Sequence, residues 1–329
     1  MSGVRFHVFI LLAATALVQS TLSAQDTNIF NGRDYIVLDQ DAGETLELKT
    51  INVLAQPVQP RVHGALTIGA GTDLENTLKD GGGYAKATRE SALVGLDVPL
   101  AKKTTISGSF EREFSQYNFD LNPPSVSEIG SMHLSITRFG LIARHQLGEQ
   151  WTAFAIGDMT FSTENHASWN DGMTYGGLVA IRRQVNKSFA WQVGVIARTR
   201  LEDQALILPI PGIDWKINDR LALRTAQGIT LSYDLVGDKR WLLDAGVNLE
   251  NRIYRMNTKS QLSDGIIIDR RIPLVTAITY QLWRGAFIKV SASTPFYRQY
   301  KFCASDGTTV ESLDSNYYPS FNLSAGAAF

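Results

Sequence analysis

The last nine residues, Phe321 to Phe329, place Phe321, Leu323, Ala325, Ala327 and Phe329 at every second position, with Asn322, Ser324 and Gly326 between them. Successive side chains of a β-strand point to opposite faces, so this spacing builds one apolar face and one small or polar face. In the closing strand of a bacterial outer-membrane barrel the first face meets lipid and the second the lumen. An aromatic residue at the very end is also the signal type that barrel-assembly machinery reads, which makes that machinery an expected partner during insertion. Nine alternating residues also suit any half-buried antiparallel sheet, so the remaining chain must decide.

At the other end, Arg5 precedes an uncharged apolar run from Val8 to Val18, followed by Gln19 to Ser23 and Ala24. A basic start, a short apolar core and a small residue before the cut define a secretory signal peptide, with cleavage expected after Ala24. The run is too short to span a bilayer as a helix, for which about 20 residues are needed. No cysteine lies near the cut, against a lipid anchor.

Beyond Ala24 no stretch is long and apolar enough for a membrane helix, although 44% of the residues are hydrophobic. They arrive in alternation, so insertion in a membrane has to use strands. Strands satisfy their backbone groups in hydrocarbon only by closing into a barrel. The chain after the leader, about 305 of 329 residues, suits one barrel. The formal charge of −1 gives no reason to expect nucleic acid. A single cysteine, Cys303, rules out an internal disulfide and reads as a loop residue.

Residues 25–57 are mixed and acidic and read as a periplasmic lead-in or plug segment, with the barrel over 58–329. Alternating segments follow, near Arg61 to Ala70, Thr88 to Pro99, from Thr104, Trp151 to Phe161, Phe189 to Ala197, after Arg240 and Ala286 to Ala292. Trp151, Trp241, Trp283 and Tyr280 fall where strands would enter the interface, as aromatic girdles require. Leu134 and Ile136 are out of phase with Phe139, Leu141 and Ala143, which predicts a bulge near Arg138. Short connections alternate with longer polar ones near 72–87, 119–130, 163–172, 255–265 and 300–316, placing the short turns in the periplasm. A hairpin at Ala226-Gln227-Gly228 gives 14 strands; a single bent strand there gives 12.

Inward positions on this reading include Arg61, Asp97, Glu111, Asp158, Arg182, Arg198, Asp244, Glu250, Arg271 and Lys289. Charges of both signs in similar number either pair across the lumen and close it or line a watery pore of weak ion preference. A lipid hydrolase would need a serine, a base and an orienting group; His133 with Ser135, and His166 with Ser168, have the spacing without an identifiable third member. The histidines have no metal-ligand spacing, and no cofactor is expected.

The run Leu206-Ile207-Leu208-Pro209-Ile210-Pro211-Gly212-Ile213-Asp214-Trp215-Lys216-Ile217, with Arg220 to Leu223 and Gly228 to Asp234, resembles a family of outer-membrane barrel proteins of Gram-negative bacteria. The resemblance is strongest over residues 200–250, extends from about residue 60 to the end, and implies fold and place but no activity. Pro209 and Pro211 remove ladder donors, so this stretch is expected as an edge, bulge or inward-folded connection rather than a regular strand.

The sequence therefore predicts an all-β protein: a transmembrane antiparallel barrel of 12–14 strands among outer-membrane lipids, with a short periplasmic N-terminal segment. Its expected role is a porin-like passive channel or a structural envelope component, not an enzyme. The alternative class is a secreted or periplasmic all-β binding protein, in which the apolar faces pack on each other.

Overall fold

The computed structural model describes residues 62–329 apart from 166, 203, 226, 227, 260, 261 and 284. The expected leader, the lead-in and Arg61 lie outside the described residues.

The wall begins with β1 (His63–Leu78), β2 (Gly83–Ala101), β3 (Thr104–Leu121), β4 (Ser131–Gln146) and β5 (Trp151–Glu164). It continues through β6 (Met173–Asn186), β7 (Phe189–Arg198), β8 (Leu206–Lys216), β9 (Leu221–Arg224) and β10 (Gly228–Asp234). The last six are β11 (Trp241–Asn248), β12 (Glu250–Arg255), β13 (Ile266–Trp283), β14 (Ala286–Cys303), β15 (Thr309–Asp314) and β16 (Ser320–Ala328). Each strand up to β11 pairs with the next; β11 pairs with β13, β13 with β14, β14 with β16, and β16 with β1. β11 and β12 share β13 as partner on either side of Leu249, and β15 and β16 share β14, so each couple is one interrupted wall strand. The result is a closed antiparallel barrel of 14 strands. β9 and β10 are separate, paired strands across residues 225–227, which settles the 12-or-14 alternative.

Closure is completed by the chain end. Phe329 and Gly64 exchange two backbone hydrogen bonds of 2.7 and 2.9 Å. A side chain at Gly64 would sit 2.4 Å from the Phe329 ring, so only glycine lets that ring lie over β1.

The outer surface carries the apolar half of each alternation. Leu66, Ile68, Val94, Leu96, Leu141, Val179, Val193, Val195, Val290, Phe321 and Leu323 are all exposed, while their immediate neighbours turn inward. In water such a belt would be an association surface; in a bilayer it is the lipid contact. Aromatic pairs rim it: Trp151 with Trp191 (5.6 Å between centroids) and Trp241 with Tyr280 (4.4 Å) at the short-turn end, Phe139 with Phe161 (6.3 Å) and Phe161 with Trp169 (5.1 Å) at the other. From Trp151 to Phe161 is ten residue steps, about 33 Å of strand and roughly 25 Å of height at the usual tilt, matching the apolar band of such barrels.

Above this band the polarity reverses. On β2 the outward residues become Glu90, Thr88 and Lys86, while Ala87 and Ala85 are buried inside; on β4 Leu134 and Ile136 are inside and His133 outside. This reversal explains two departures from expectation. β4 keeps unbroken register with both neighbours, so no bulge lies at Arg138; the apparent phase slip is a change of environment along a regular strand. The long loop expected over 72–87 is instead the paired continuation of β1 and β2, joined by residues 79–82, with one extra β1 residue between Asp73 and Asn76. Cys303, expected in a loop, ends β14 and is buried with Ile266 and Ile268 beneath Leu201.

The upper wall is also narrower. β5 pairs with β6 as far as Phe161, after which its edge turns to β12, where Thr163 and Arg255 form a parallel bridge and the Ser162 hydroxyl donates to the Ile253 carbonyl. β12 therefore leans across the barrel, and β1 to β5 close with β12 to β15 above the level reached by β6 to β10.

Candidate functional site: a charge belt beneath an apolar plug

The narrow upper barrel is filled. Tyr117, Phe119, Leu134, Tyr254, Met256, Ile267, Tyr300 and Phe302 are buried together, joined by Val126 and Ile129 from the 122–130 loop. Phe119 stands edge-on to Tyr300 (5.3 Å) and to Phe302 (5.6 Å), and Tyr117 edge-on to Tyr254 (6.0 Å). These contacts come from strands on opposite sides of the barrel, so the plug is made of wall side chains and closes the outer mouth.

Directly below lies a belt of four arginines and four carboxylates. Asp73 on β1 accepts from Arg89 (2.8 Å), Arg271 (3.0 Å) and Arg298 (2.7 Å). Asp269 on β13 accepts from Arg89 (3.0 Å), twice from Arg298 (3.0 and 2.9 Å), and from the Tyr117 hydroxyl (2.8 Å). Arg252 on β12 donates to Glu113 on β3 (2.9 Å) and to Glu250 (2.9 Å), and Arg271 donates to Glu250 at 2.8 Å. Charges taken from water into such a place are tolerated only when paired and hydrogen-bonded. Equal numbers of each sign with shared donors meet that requirement, and the belt ties β1, β2, β3, β12, β13 and β14 together.

Farther down, where the barrel has all its strands, ion pairs hug the inner wall. Glu111 pairs with Arg138 at 2.7 Å, Asp158 with Arg198, Arg182 with Asp214 at 3.0 Å, and Asp244 with Lys289 at 3.8 Å; Asp97 acts electrostatically on Arg144. Gly176 lies between Asp158 and Arg198 in the ladder, where a side chain would stand 2.3 Å from the Asp158 carboxylate. Water reaches part of this region: the Asp214 and Arg224 side chains keep 26% and 24% of their surface exposed. Outside the membrane span, at the β14–β15 turn, the Thr308 hydroxyl and N–H hold the Asp306 carboxyl below its ordinary value.

Of the inward candidates named from sequence, Glu250 and Arg271 thus sit in the belt, and Asp97, Glu111, Asp158, Arg182, Arg198, Asp244 and Lys289 sit lower. Sequence reasoning missed Asp73, Arg89, Glu113, Tyr117, Arg252, Asp269 and Arg298. Asp73 fell in a segment read as loop, and the phase of Arg298 is hidden by a bulge between Pro295 and Tyr297. The sequence does carry charged residues at this level of β1, β2 and β3, but exposed apolar side chains such as Leu74, Tyr84 and Phe114 stand beyond them, so no single break in the outward pattern marks the belt. His133 is exposed on β4 while Ser135 on the same face is buried; His166 lies outside the described residues and Ser168 in the 165–172 loop.

The lipid-facing belt, the closed 14-strand wall and the paired inner charges define an outer-membrane type of β-barrel. The chain belongs to the DUF6268 family, described as a domain of unknown function, whose model matches residues 94–329. No curated protein matches the sequence. Among solved structures the chain is similar to a FadL homologue of Pseudomonas aeruginosa (TM-score 0.48, 12% identity, covering 90% of this chain and 99% of that one). It is also similar to the COG4313 outer membrane channel of Pseudomonas putida F1 (0.46, 11%, 84% and 97%) and to the Pseudomonas putida toluene transporter TodX (0.44, 10%, 85% and 94%).

Proposed function

We propose that the protein resides in the outer membrane as a channel for small molecules, inserted by the barrel-assembly machinery through its Phe329-terminated strand, with its outer mouth held shut by the plug and belt. The observation that carries this reading is the contrast along one lumen: buried, dry side chains above, and partly exposed polar ones such as Asp214 and Arg224 below. A barrel serving only as a structural element has no use for a wet lower chamber under a separate, wall-built closure. The paired inner charges give the chamber little net field, which suits solutes without strong charge.

Planar-bilayer recording tests the proposal. The wild-type protein should pass little current, while Phe119→Ala combined with Tyr300→Ala, which removes two touching rings from the plug, should give discrete conductance steps. Silence from both would overturn the channel reading in favour of a structural role. Large, steady conductance from the wild type would overturn the closed mouth.

A further inference from the structure

A cation without a protein counter-charge stands on the outside of the barrel, where the wall meets lipid. Arg183 on β6 follows Val179 and Ile181 on the outward side of the strand and precedes Val185, and both valines are exposed. Across the ladder it lies opposite Trp151 of β5 and Trp191 of β7. Apolar side chains therefore surround it above, below and on both sides.

The two indoles build its seat. Their rings meet edge-on across β6, 5.6 Å between centroids, and the Arg183 guanidinium lies 5.3 Å from the centre of the Trp151 ring. Stacking of this kind holds the side chain against the wall and leaves its N–H edge free to donate. Arg183 is exposed, and among the described residues no carboxylate pairs with it. Three other basic side chains near the rims are already engaged. Arg112, at the outer rim, donates to the Thr137 hydroxyl and lies 5.9 Å from the centre of the Trp169 ring. Arg240, beside Trp241, pairs with Asp238 at 3.8 Å, and Lys216 with Asp219 at 2.9 Å.

Depth and charge select what meets this cation. Trp151 and Arg183 share a rung at the short-turn edge of the apolar band, the level of the inner-leaflet headgroups once the barrel sits in a bilayer. An arginine is expensive at the middle of the membrane and nearly free at this edge, where an anion is within reach. For a side chain facing outward there, that anion is a lipid phosphate. The β6–β7 turn carries Lys187 and no acid, so the same hairpin adds a second positive charge on the water side. A positive field favours a headgroup with a phosphate and no ammonium. An acid, Glu149, stands in the neighbouring β4–β5 turn and makes no ion pair with Arg183.

We infer that Arg183, seated between Trp151 and Trp191, is a docking site for one anionic phospholipid of the inner leaflet, of the phosphatidylglycerol kind. The guanidinium grips the phosphodiester through two N–H groups, and the indoles pack against the glycerol and the first methylenes of the acyl chains. The lipid supplies the counter-charge that the protein leaves out and fixes how deep β5 to β7 sit. The site is on the outside of the wall, apart from plug, belt and chamber. It rests on the membrane placement in the proposed function and is independent of conduction.

The test uses the purified full-length protein, stripped of lipid in detergent and titrated with phosphatidylglycerol, phosphatidylethanolamine or phosphatidylcholine of the same acyl chains. Bound lipid is counted by native mass spectrometry, and each variant is first checked for the mobility difference between folded and heated protein. Wild type should bind one phosphatidylglycerol about tenfold more tightly than either other lipid, as a charge-assisted contact requires. Arg183→Gln should abolish that preference, and Arg183→Lys, which keeps the charge and loses the planar fork, should reduce it severalfold. Arg240→Gln, at a residue already paired, should leave it intact. Equal affinity of the wild type for the three lipids, or a preference that survives Arg183→Gln, would overturn the site. Equally tight phosphatidylethanolamine binding that disappears in Glu149→Gln would overturn the choice of an anionic lipid. Channel current is read separately: selective lipid binding by a protein whose plug variant stays silent removes the channel reading alone, and conductance without lipid preference removes the docking site alone.

Discussion

Arg298 reaches Asp73 at 2.7 Å although 225 residues separate them, so β14 is bound to β1 by a buried ion pair at the level where β16 has ended and the upper wall is thinnest. The same guanidinium serves Asp269, which makes Arg298, like Arg89, a donor that both aspartates share.

Arg298→Met should therefore destabilise the folded barrel by about 3–5 kcal/mol, because two buried carboxylates lose a common partner. Pairing it with Asp269→Leu should restore part of the loss, since an apolar replacement of a buried pair is often near neutral. Urea unfolding in detergent micelles, followed by the mobility difference between folded and heated protein, measures both; equal midpoints for Arg298→Met and wild type would refute the belt's structural role.

The reversal of polarity on β4 predicts that arginine is tolerated differently at two outward positions four periods of the alternation apart. Leu141→Arg, within the apolar band, should cost roughly 2–4 kcal/mol of folding in lipid, and His133→Arg about 0–1. The same unfolding titration in phospholipid vesicles distinguishes them. Similar losses at both sites would mean that the band has been placed wrongly.

Gly176→Val should separate Asp158 from Arg198, because its first side-chain atom would already stand 2.3 Å from the carboxylate. Overpacking of this kind costs about 1–3 kcal/mol. A Gly177→Val control, whose nearest contact is 3.4 Å, should unfold much closer to wild type.

Cys303 lies under Leu201, and burial pushes its thiol above the ordinary value. Only the thiolate reacts, so labelling of the folded protein by a maleimide should be slow at neutral pH and accelerate at higher pH than for a free cysteine. Leu201→Ala should speed it at every pH. Rapid labelling of wild type at pH 7 would show that Leu201 does not cover this cluster.

How far the sequence could be read follows from where its alternation has one meaning. Along Trp241 to Val247 or Phe321 to Phe329 every residue sits at membrane depth, so apolar means outside and the strands could be named residue by residue. Along Leu134 to Ala143 the same strand passes from a dry interior to a lipid exterior, and a regular alternation looks like a phase error. The belt was obscured for the same reason, compounded by extra residues in β1 and β14 that shift parity between Asp73 and Asn76 and between Pro295 and Tyr297. The prolines of β8 signalled an edge, and among the described residues Leu206 to Gly212 pair with β7 alone; against the expectation of an irregular stretch, that pairing is a regular strand in continuous register, and the shortness of β9 beside it is announced by no local pattern.

One measurement addresses the central claim, that a single barrel is wet below and sealed above: collision of spin labels, placed singly along β14 in a Cys303→Ser background, with oxygen from the lipid and with a water-soluble nickel chelate. Labels at 288, 290, 292 and 294 should meet oxygen, those at 289, 291 and 293 the chelate, and those at 298, 300 and 302 neither. Chelate access at 298, 300 and 302, or at both faces throughout, would contradict the account.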